Sequence, residues 1–384
     1  MKVIQITPSI GQEDSGPSYS VQRLFDELLS LEVDADLATL NLKLDSNFKK
    51  ANIYTFPCNF HPRLGHSRLM NAWLHKRVRS FKNLVIHNHG MWQSNAIYSS
   101  KLKSKYNLKL LISPRGTLSS WSLNNGNVLA KKIFGNLFQR NALSVADCIH
   151  ATSISEYEDI RKLGFKNPVA IIPNGIDTTE LSAIPEKDRT VLFLGRIHKK
   201  KGIEMLLNAW KRLNSKYPDW KLKIIGSDKD YYGREGYKDF LVNMVSSQNI
   251  KGVVFSEPLF GEKKNKEYRN SSVFILPTYS ENFGMTVIES LAQKTPAIVT
   301  HGAPWKDLET HNAGWWVPIS EDAILNALDE ALKAGKDELL RMGSNGFKLV
   351  EKAYSWQSIT KDMLNVYGWI SGDINSRPSC VMID

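Results

Sequence analysis

Short apolar runs and segments of helical period take turns along this chain. Residues 2–6, Lys-Val-Ile-Gln-Ile, read as a buried strand; after Gly11 and Gly16 comes a helix with Val21, Leu24, Phe25, Leu28 and Leu29 on one face. Further strands are expected at 35–40, 53–56, 84–87, 109–113, 148–151 and 169–172, most of them separated by helical segments, which implies a largely parallel sheet. The pattern then restarts: residues 191–194 read as a strand, followed by Gly195 and a helix carrying Ile203, Leu206, Leu207 and Trp210. Strands at 222–226, 253–255, 273–276 and 297–300 follow, then helices at 322–332 and 336–349. A last helix runs through Trp356, Ile359, Met363, Leu364 and Tyr367, and residues 375–384, polar and holding Pro378, read as a frayed tail. Pro173-Asn174-Gly175 is a turn cluster after the strand at 169–172, and 181–188 reads as linker. Two doubly wound α/β domains are therefore expected, with ligands at the carboxyl ends of their strands.

Composition narrows this a little. A chain of 384 residues exceeds what one core fills, which agrees with two domains. Its net charge of +11 favours anionic partners, whether nucleic acid, anionic lipid or phosphorylated substrate, without choosing among them. No zinc pattern or RNA-binding motif supports the first of these. Cys58, Cys148 and Cys380 lie far apart in sequence and form no metal or redox pattern, which suits a reducing compartment. No apolar run reaches the ~18 residues of a membrane span, and the opening Met1-Lys2-Val3-Ile4 reads as a strand rather than a signal peptide.

The densest candidate chemistry lies at 277–289. An apolar strand ends at Pro277, a polar turn with Gly284 follows, and Met285, Ile288, Leu291 and Ala292 recur at helical spacing. Strand, turn and helix aim free backbone N–H groups and a positive dipole end at one point, a ready anion site. Glu281 sits at the mouth of the turn and Glu289 about 7 Å further down the helix. On spacing alone these carboxylates are equally readable as helix caps or dipole partners. Two glutamates eight apart, with Asn282-Phe283-Gly284 after the first, resemble the signature of family 4 of the retaining glycosyltransferases, which have the GT-B fold. The resemblance implies that Glu281 contacts the donor sugar, that Glu289 holds the nucleotide ribose, and that the backbone from Asn282 through Gly284, Met285 and Thr286 holds sugar and phosphate.

Other stretches fit the same resemblance. Gly195-Arg196 followed by Lys201-Gly202 is similar to the family's diphosphate clamp, Arg as a bidentate fork and Lys as a point charge. Relatives seat the nucleobase around Pro258 and Leu259, and Gly16 belongs to a glycine loop that lets a ligand approach the backbone. That loop nearly spells a P-loop, but Pro17 stands at the lysine position. His89, in His87-Asn88-His89-Gly90, is read as facing donor or acceptor, with a core histidine or half of a metal pair as alternatives. Many relatives carry a sugar-contacting His near position 115; here it is Arg115, which could grip an acceptor phosphate or carboxylate. Trp121 and the segment after it are expected to build the acceptor side. Asp228-Lys229-Asp230 looks like a metal-binding Asp-x-Asp but is read as a solvated loop. Trp315 and Trp316 are read as packing before sugar stacking. Residues 61–82 interleave His61, Arg63, Lys76 and Arg79 with Leu64, Leu69 and Trp73, which reads either as a helix on an anionic membrane surface or as an ordinary surface helix.

Taken together the resemblance implies two Rossmann-like domains, 1–175 for the acceptor and 176–355 for the donor, facing each other across a cleft, with 356–384 crossing back to the first. It implies a retaining, metal-independent hexosyltransferase without cofactor, with Glu281, Arg196, Lys201 and His89 as its catalytic set. The expected donor is a nucleoside-diphosphate hexose or N-acetylhexosamine, UDP before GDP. The expected acceptor is a lipid-linked oligosaccharide of bacterial O-antigen or capsule, and the expected location is the cytoplasm, with peripheral membrane contact through 61–82. A nucleotide-sugar epimerase of the same fold, or a non-catalytic anion- or nucleic-acid-binding protein, are the alternatives.

Overall fold

The computed structural model describes residues 1–10, 16–42, 44, 48, 50–119, 139–178, 186–229 and 235–383, apart from the side chains of Gly16, Pro17 and Arg63. Gly11, Trp121, Lys131, Lys132 and Asp230, and most of the expected linker at 181–188, lie outside these residues. The chain divides into two compact units, Met1–Gly175 with Trp356–Asp384, and Ile176–Ser355.

In the first unit the sheet runs β14-β7-β6-β5-β4-β1-β2-β3. Its strands are β1 Lys2–Thr7, β2 Ala35–Leu40, β3 Ile53–Phe56, β4 Leu84–His89, β5 Lys109–Ser113, β6 Cys148–Ala151, β7 Val169–Ile171 and β14 Val381–Met382. All neighbours are parallel except β14, which pairs antiparallel with β7. Alternate side chains point to opposite faces of a strand, so Ile4, Ile86, Leu110 and Ile149 build one core while Val3, Val85, Leu111 and Cys148 build the other. Met70 and Leu74 of the helix Arg68–Arg77 cover the first face. The helices Gly16–Ser30 and Trp356–Ser371 cover the second. Both faces of the inner strands are covered, which is why these strands read as apolar runs.

One expectation changes here. The tail is not frayed: Val381 pairs with Ala170, and Ile171 N–H donates to Cys380 O at 2.8 Å. The covered strand edge outweighs the polar composition of the tail. Within residues 61–82 the helix Arg68–Arg77 packs one side on the sheet, with Trp73 against Tyr54 and Phe56 and Arg77 Nε on Asp36 at 2.7 Å. Only Phe60, Leu64 and Leu69, more than half exposed, are left as apolar surface around it.

The second unit has a six-stranded sheet in the order β10-β9-β8-β11-β12-β13. Its strands are β8 Asp188–Leu194, β9 Lys221–Ile225, β10 Val253–Ser256, β11 Ser271–Leu276, β12 Ala297–Thr300 and β13 Gly314–Val317. Every pair is parallel. The order reverses direction at β8 and β11, and the loops leaving the carboxyl ends of these two strands carry the residues below, as expected at a topological switch point.

Candidate functional site

The loop after β8 carries Arg196 and ends in a short 3-10 turn, Lys199–Lys201, before the helix Ile203–Leu213. The loop after β11 carries Glu281 and ends at the helix Met285–Ala292. Backbone bonds stitch them together: Tyr279 N–H and Thr278 Oγ1 both donate to Lys200 O, at 2.9 and 3.1 Å. Gly202 makes this approach possible, since at φ +67 a Cβ there would lie 2.0 Å from Pro277 O. The second loop is pinned from behind as well. Glu281 N–H donates to Gly302 O, Thr300 Oγ1 to Thr278 O, and Trp305 Nε1 to Phe283 O, at 2.5–2.6 Å.

This framework brings Lys201 Nζ onto Glu281 Oε2. Burial pushes the Glu281 carboxyl up, but the charge and hydrogen bond of Lys201, then Lys200 and the Asn282 N–H, outweigh it and hold the group below its ordinary range. Lys200 is shifted down, chiefly by burial, with Lys201 and Arg196 adding to it against the pull of Glu281. Arg196, Lys200 and Lys201 therefore form one cationic group at the end of β8. Beside it the helix Met285–Ala292 begins at Gly284, at φ +89, with no side chain capping its N-terminus. Its first amides have no partner in the helix itself. Cations and open amides together suit a diphosphate.

Glu289 lies on the same helix but takes other partners. Lys264 Nζ donates to its Oε1 at 2.8 Å and Tyr268 Oη to its Oε2 at 3.0 Å. Lys264 and Tyr268 were not among the residues singled out by sequence; their i, i+4 spacing, which puts both on one helix face, was the available signal. Pro258 and Leu259 are partly buried after β10, and Leu259 packs on the unit's core.

The first unit holds a second cluster, at the carboxyl ends of β4 and β5. The His150 ring nitrogen Nε2 lies 2.7 Å from Ile172 O, an acceptor, so Nε2 carries the proton. Burial, then the charge of Arg115, lower His150 to about 3, so the ring is neutral and its Nδ1 accepts from Ser113 Oγ at 2.6 Å. Ser113 must then accept from His87 Nε2, and His87 Nδ1 from Tyr367 Oη, both at 2.6 Å. The relay Tyr367–His87–Ser113–His150–Ile172 is neutral throughout and uses both nitrogens of His87 in hydrogen bonds. Among the described residues no group of three or more His, Cys, Asp or Glu is placed to hold a metal. Asp228 instead accepts from Gly236 and Lys238 N–H at 2.8 and 3.1 Å.

The His89 ring lies against His87, with centroids 3.9 Å apart and the planes tilted by 41°. Arg115 donates from Nη2 to His89 Nδ1 at 3.2 Å and from Nη1 to Asn174 Oδ1 at 2.6 Å and Ser20 Oγ at 3.5 Å. Gly16 opens the helix that carries Ser20. The indole N–H groups of Trp305, Trp315 and Trp316 donate to Phe283 O, Glu330 and Ala303 O, which makes these residues packing elements.

Comparison with known proteins covers nearly the whole chain. The family described as Glycosyltransferase Family 4 matches residues 15–180, and that described as Glycosyl transferases group 1 matches 178–349. An uncharacterized glycosyltransferase of Methanocaldococcus jannaschii is 25% identical over 93% of this chain and 95% of its own length. The capsular polysaccharide biosynthesis glycosyltransferase CapM of Staphylococcus aureus is 34% identical over 46% of this chain and 44% of its own. The chain spans about half the length, 52–54%, of the first curated relatives it matches. Among solved structures, a sucrose-phosphate synthase of Thermosynechococcus elongatus superposes with a TM-score of 0.76 at 20% identity, over 97% of this chain and 100% of that one. The Anabaena protein HepE, in complex with UDP and glucose, does so with a TM-score of 0.73 at 15% identity, over 95% and 99%.

Proposed function

Because the chain belongs to the family 4 glycosyltransferases of GT-B fold, we propose that it moves a hexose or N-acetylhexosamine from a UDP-sugar to a hydroxyl of a saccharide acceptor. The observation that carries this reading is the pairing of Lys201 with Glu281 beside an uncapped helix N-terminus, with Arg196 in the same cationic group. In this reading the sugar's bond to the diphosphate breaks while Arg196, Lys201 and the amides at Gly284, Met285 and Thr286 take up the charge developing on the leaving phosphate. These groups supply the positive charge, so no metal ion is required. Glu281 orients the sugar, Glu289 takes the ribose with Lys264 and Tyr268 behind it, and Pro258 and Leu259 flank the base. The acceptor hydroxyl adds to the face the diphosphate leaves, a phosphate oxygen receives its proton, and the configuration is retained. His89 and Arg115 serve the acceptor side.

A bacterial surface polysaccharide, built on a lipid, is the acceptor we favour; the likeness to CapM supports it. Peripheral contact with an anionic membrane is then proposed through exposed Phe60, Leu64 and Leu69, with Arg68 over the Phe60 ring. No helix among the described residues is long and apolar enough to cross a membrane.

Thermal unfolding with UDP, GDP and ADP tests the donor site. At about a hundred times its dissociation constant the cognate diphosphate should add roughly 2.7 kcal/mol, and Arg196→Ala should lose most of that. No shift with any of the three sinks the reading. Full sugar transfer by Glu281→Ala removes the role given to that carboxylate.

A further inference from the structure

The geometry points to an oxyanion site at the carboxyl ends of β4 and β5, in which Arg115 and His89 take a phosphate or carboxylate carried by the acceptor saccharide. It rests on the reading of the first unit as the acceptor side and adds to it the chemical class of the acceptor.

Hydrogen bonding fixes the state of His89. Its Nδ1 accepts from Arg115, and burial, with the fields of His87 and Arg115, holds the ring well below its usual pKa, so it is neutral. The remaining proton is therefore on Nε2. That atom is sealed from solvent and meets no acceptor, and Arg115 Nε is in the same condition. Two buried N–H donors thus stand unsatisfied on two neighbouring strand ends, where buried polar groups are ordinarily paired.

The charge balance points the same way. Among the described residues Arg115 hydrogen-bonds neutral groups, Asn174, Ser20 and His89. Burial lowers it to about 10, which leaves it cationic at neutral pH. The histidines around it are neutral, and among the described residues the carboxylate of Glu156 acts on it through its charge, without a hydrogen bond. Its oxygens are spent on Gly116 N–H, Thr152 N–H and Thr152 Oγ1. Arg115 also holds φ +58, a strained backbone for a side chain of its size, and the Glu156 bond to Gly116 helps lock that turn. A guanidinium fixed in this way, without a counter-ion in contact and next to a second free donor, rejects a cation. A neutral hydroxyl would satisfy one donor and leave the charge. An oxyanion meets both, and guanidinium matches phosphate and carboxylate geometry in particular.

Calorimetric titration of the full chain with methyl phosphate, methyl glucuronide and methyl glucoside tests this, each with and without saturating UDP. The acidic probes should bind saturably, about tenfold or more tighter than the glucoside, and UDP should leave that binding in place. Arg115→Gln and His89→Phe should each weaken it by about tenfold, with Arg115→Lys intermediate and UDP affinity unchanged in all three. Whichever acidic probe binds tighter identifies the group as phosphate or uronate. Equal affinity for the glucoside, absence of saturable binding, or undiminished binding in folded Arg115→Gln overturns the proposal. Displacement by UDP overturns it as well, by making the site a seat for donor phosphate. Absence of UDP binding would sink the donor reading alone, because the probes are also titrated without it.

Discussion

A single buried lysine shows how far one residue's environment can set behaviour. Lys187 enters β8 with its ammonium on Arg269 O at 3.1 Å, Ser271 O at 3.0 Å and Thr295 Oγ1 at 2.6 Å. These are all neutral acceptors, and burial lowers the group from 10.5 to about 7. Between those two values Lys187 binds more protons in the unfolded chain than in the folded one, so its own contribution to the unfolding free energy rises as pH increases from about 7 towards 10. Lys200, also shifted down, adds in the same direction. Lys187→Met should therefore lower stability at pH 9 more than at pH 7, by about 1 to 3 kcal/mol after allowing for the lost hydrogen bonds. Urea midpoints of the two proteins across this range give the answer, and parallel curves would refute it. Nothing in the sequence around Lys187 announces this, because its partners lie 82 to 108 positions away.

At the scale of elements, the two loops of the second unit depend on a close approach that only glycine allows. Gly202→Ala places a methyl against Pro277 O at φ +67, and should cost about 3 kcal/mol or more while moving Lys201 off Glu281. Loss of both stability and UDP binding is expected, read by denaturant unfolding and nucleotide titration. Gly335→Ala, at φ −65 with open space around its Cβ, should change stability by less than about 0.5 kcal/mol. Elements of this kind were readable in advance where burial is complete. The strands at 35–40, 109–113 and 148–151 are in place because parallel strands covered on both faces have one sequence signature, an apolar run, whereas 53–56 is a partly exposed edge strand. β14 escaped because two residues carry no period and its pairing is decided by the free edge of β7. Glu281 and Glu289 were visible by their spacing, whereas Lys264 and Tyr268, the partners of Glu289, belong to a different helix. The neutrality of the His87 relay follows from bond directions, which no string of residues contains.

For the molecule as a whole, the net charge of +11 acts as a field rather than as contacts. It attracts any anionic surface within about a Debye length, ~10 Å at 0.1 M salt, and each basic residue near such a surface contributes about 1 kcal/mol. Charge alone gives binding that salt abolishes. Exposed Phe60, Leu64 and Leu69 would add a contribution that salt does not remove, because apolar burial is unscreened. Sedimentation with phosphatidylglycerol-containing vesicles should therefore show strong binding at low salt and a residual fraction at high salt. Leu64→Asp with Leu69→Asp should abolish the residual fraction and leave the folded state intact, since both side chains are more than half exposed. If binding of the wild-type chain vanishes completely with salt, the apolar cluster does not enter the bilayer and the charge acts only from a distance. If neutral phosphatidylcholine vesicles capture the chain equally well, the basic surface has no part in attachment. Residual binding that depends on these two leucines, on anionic vesicles alone, would establish that the first unit attaches itself to a membrane.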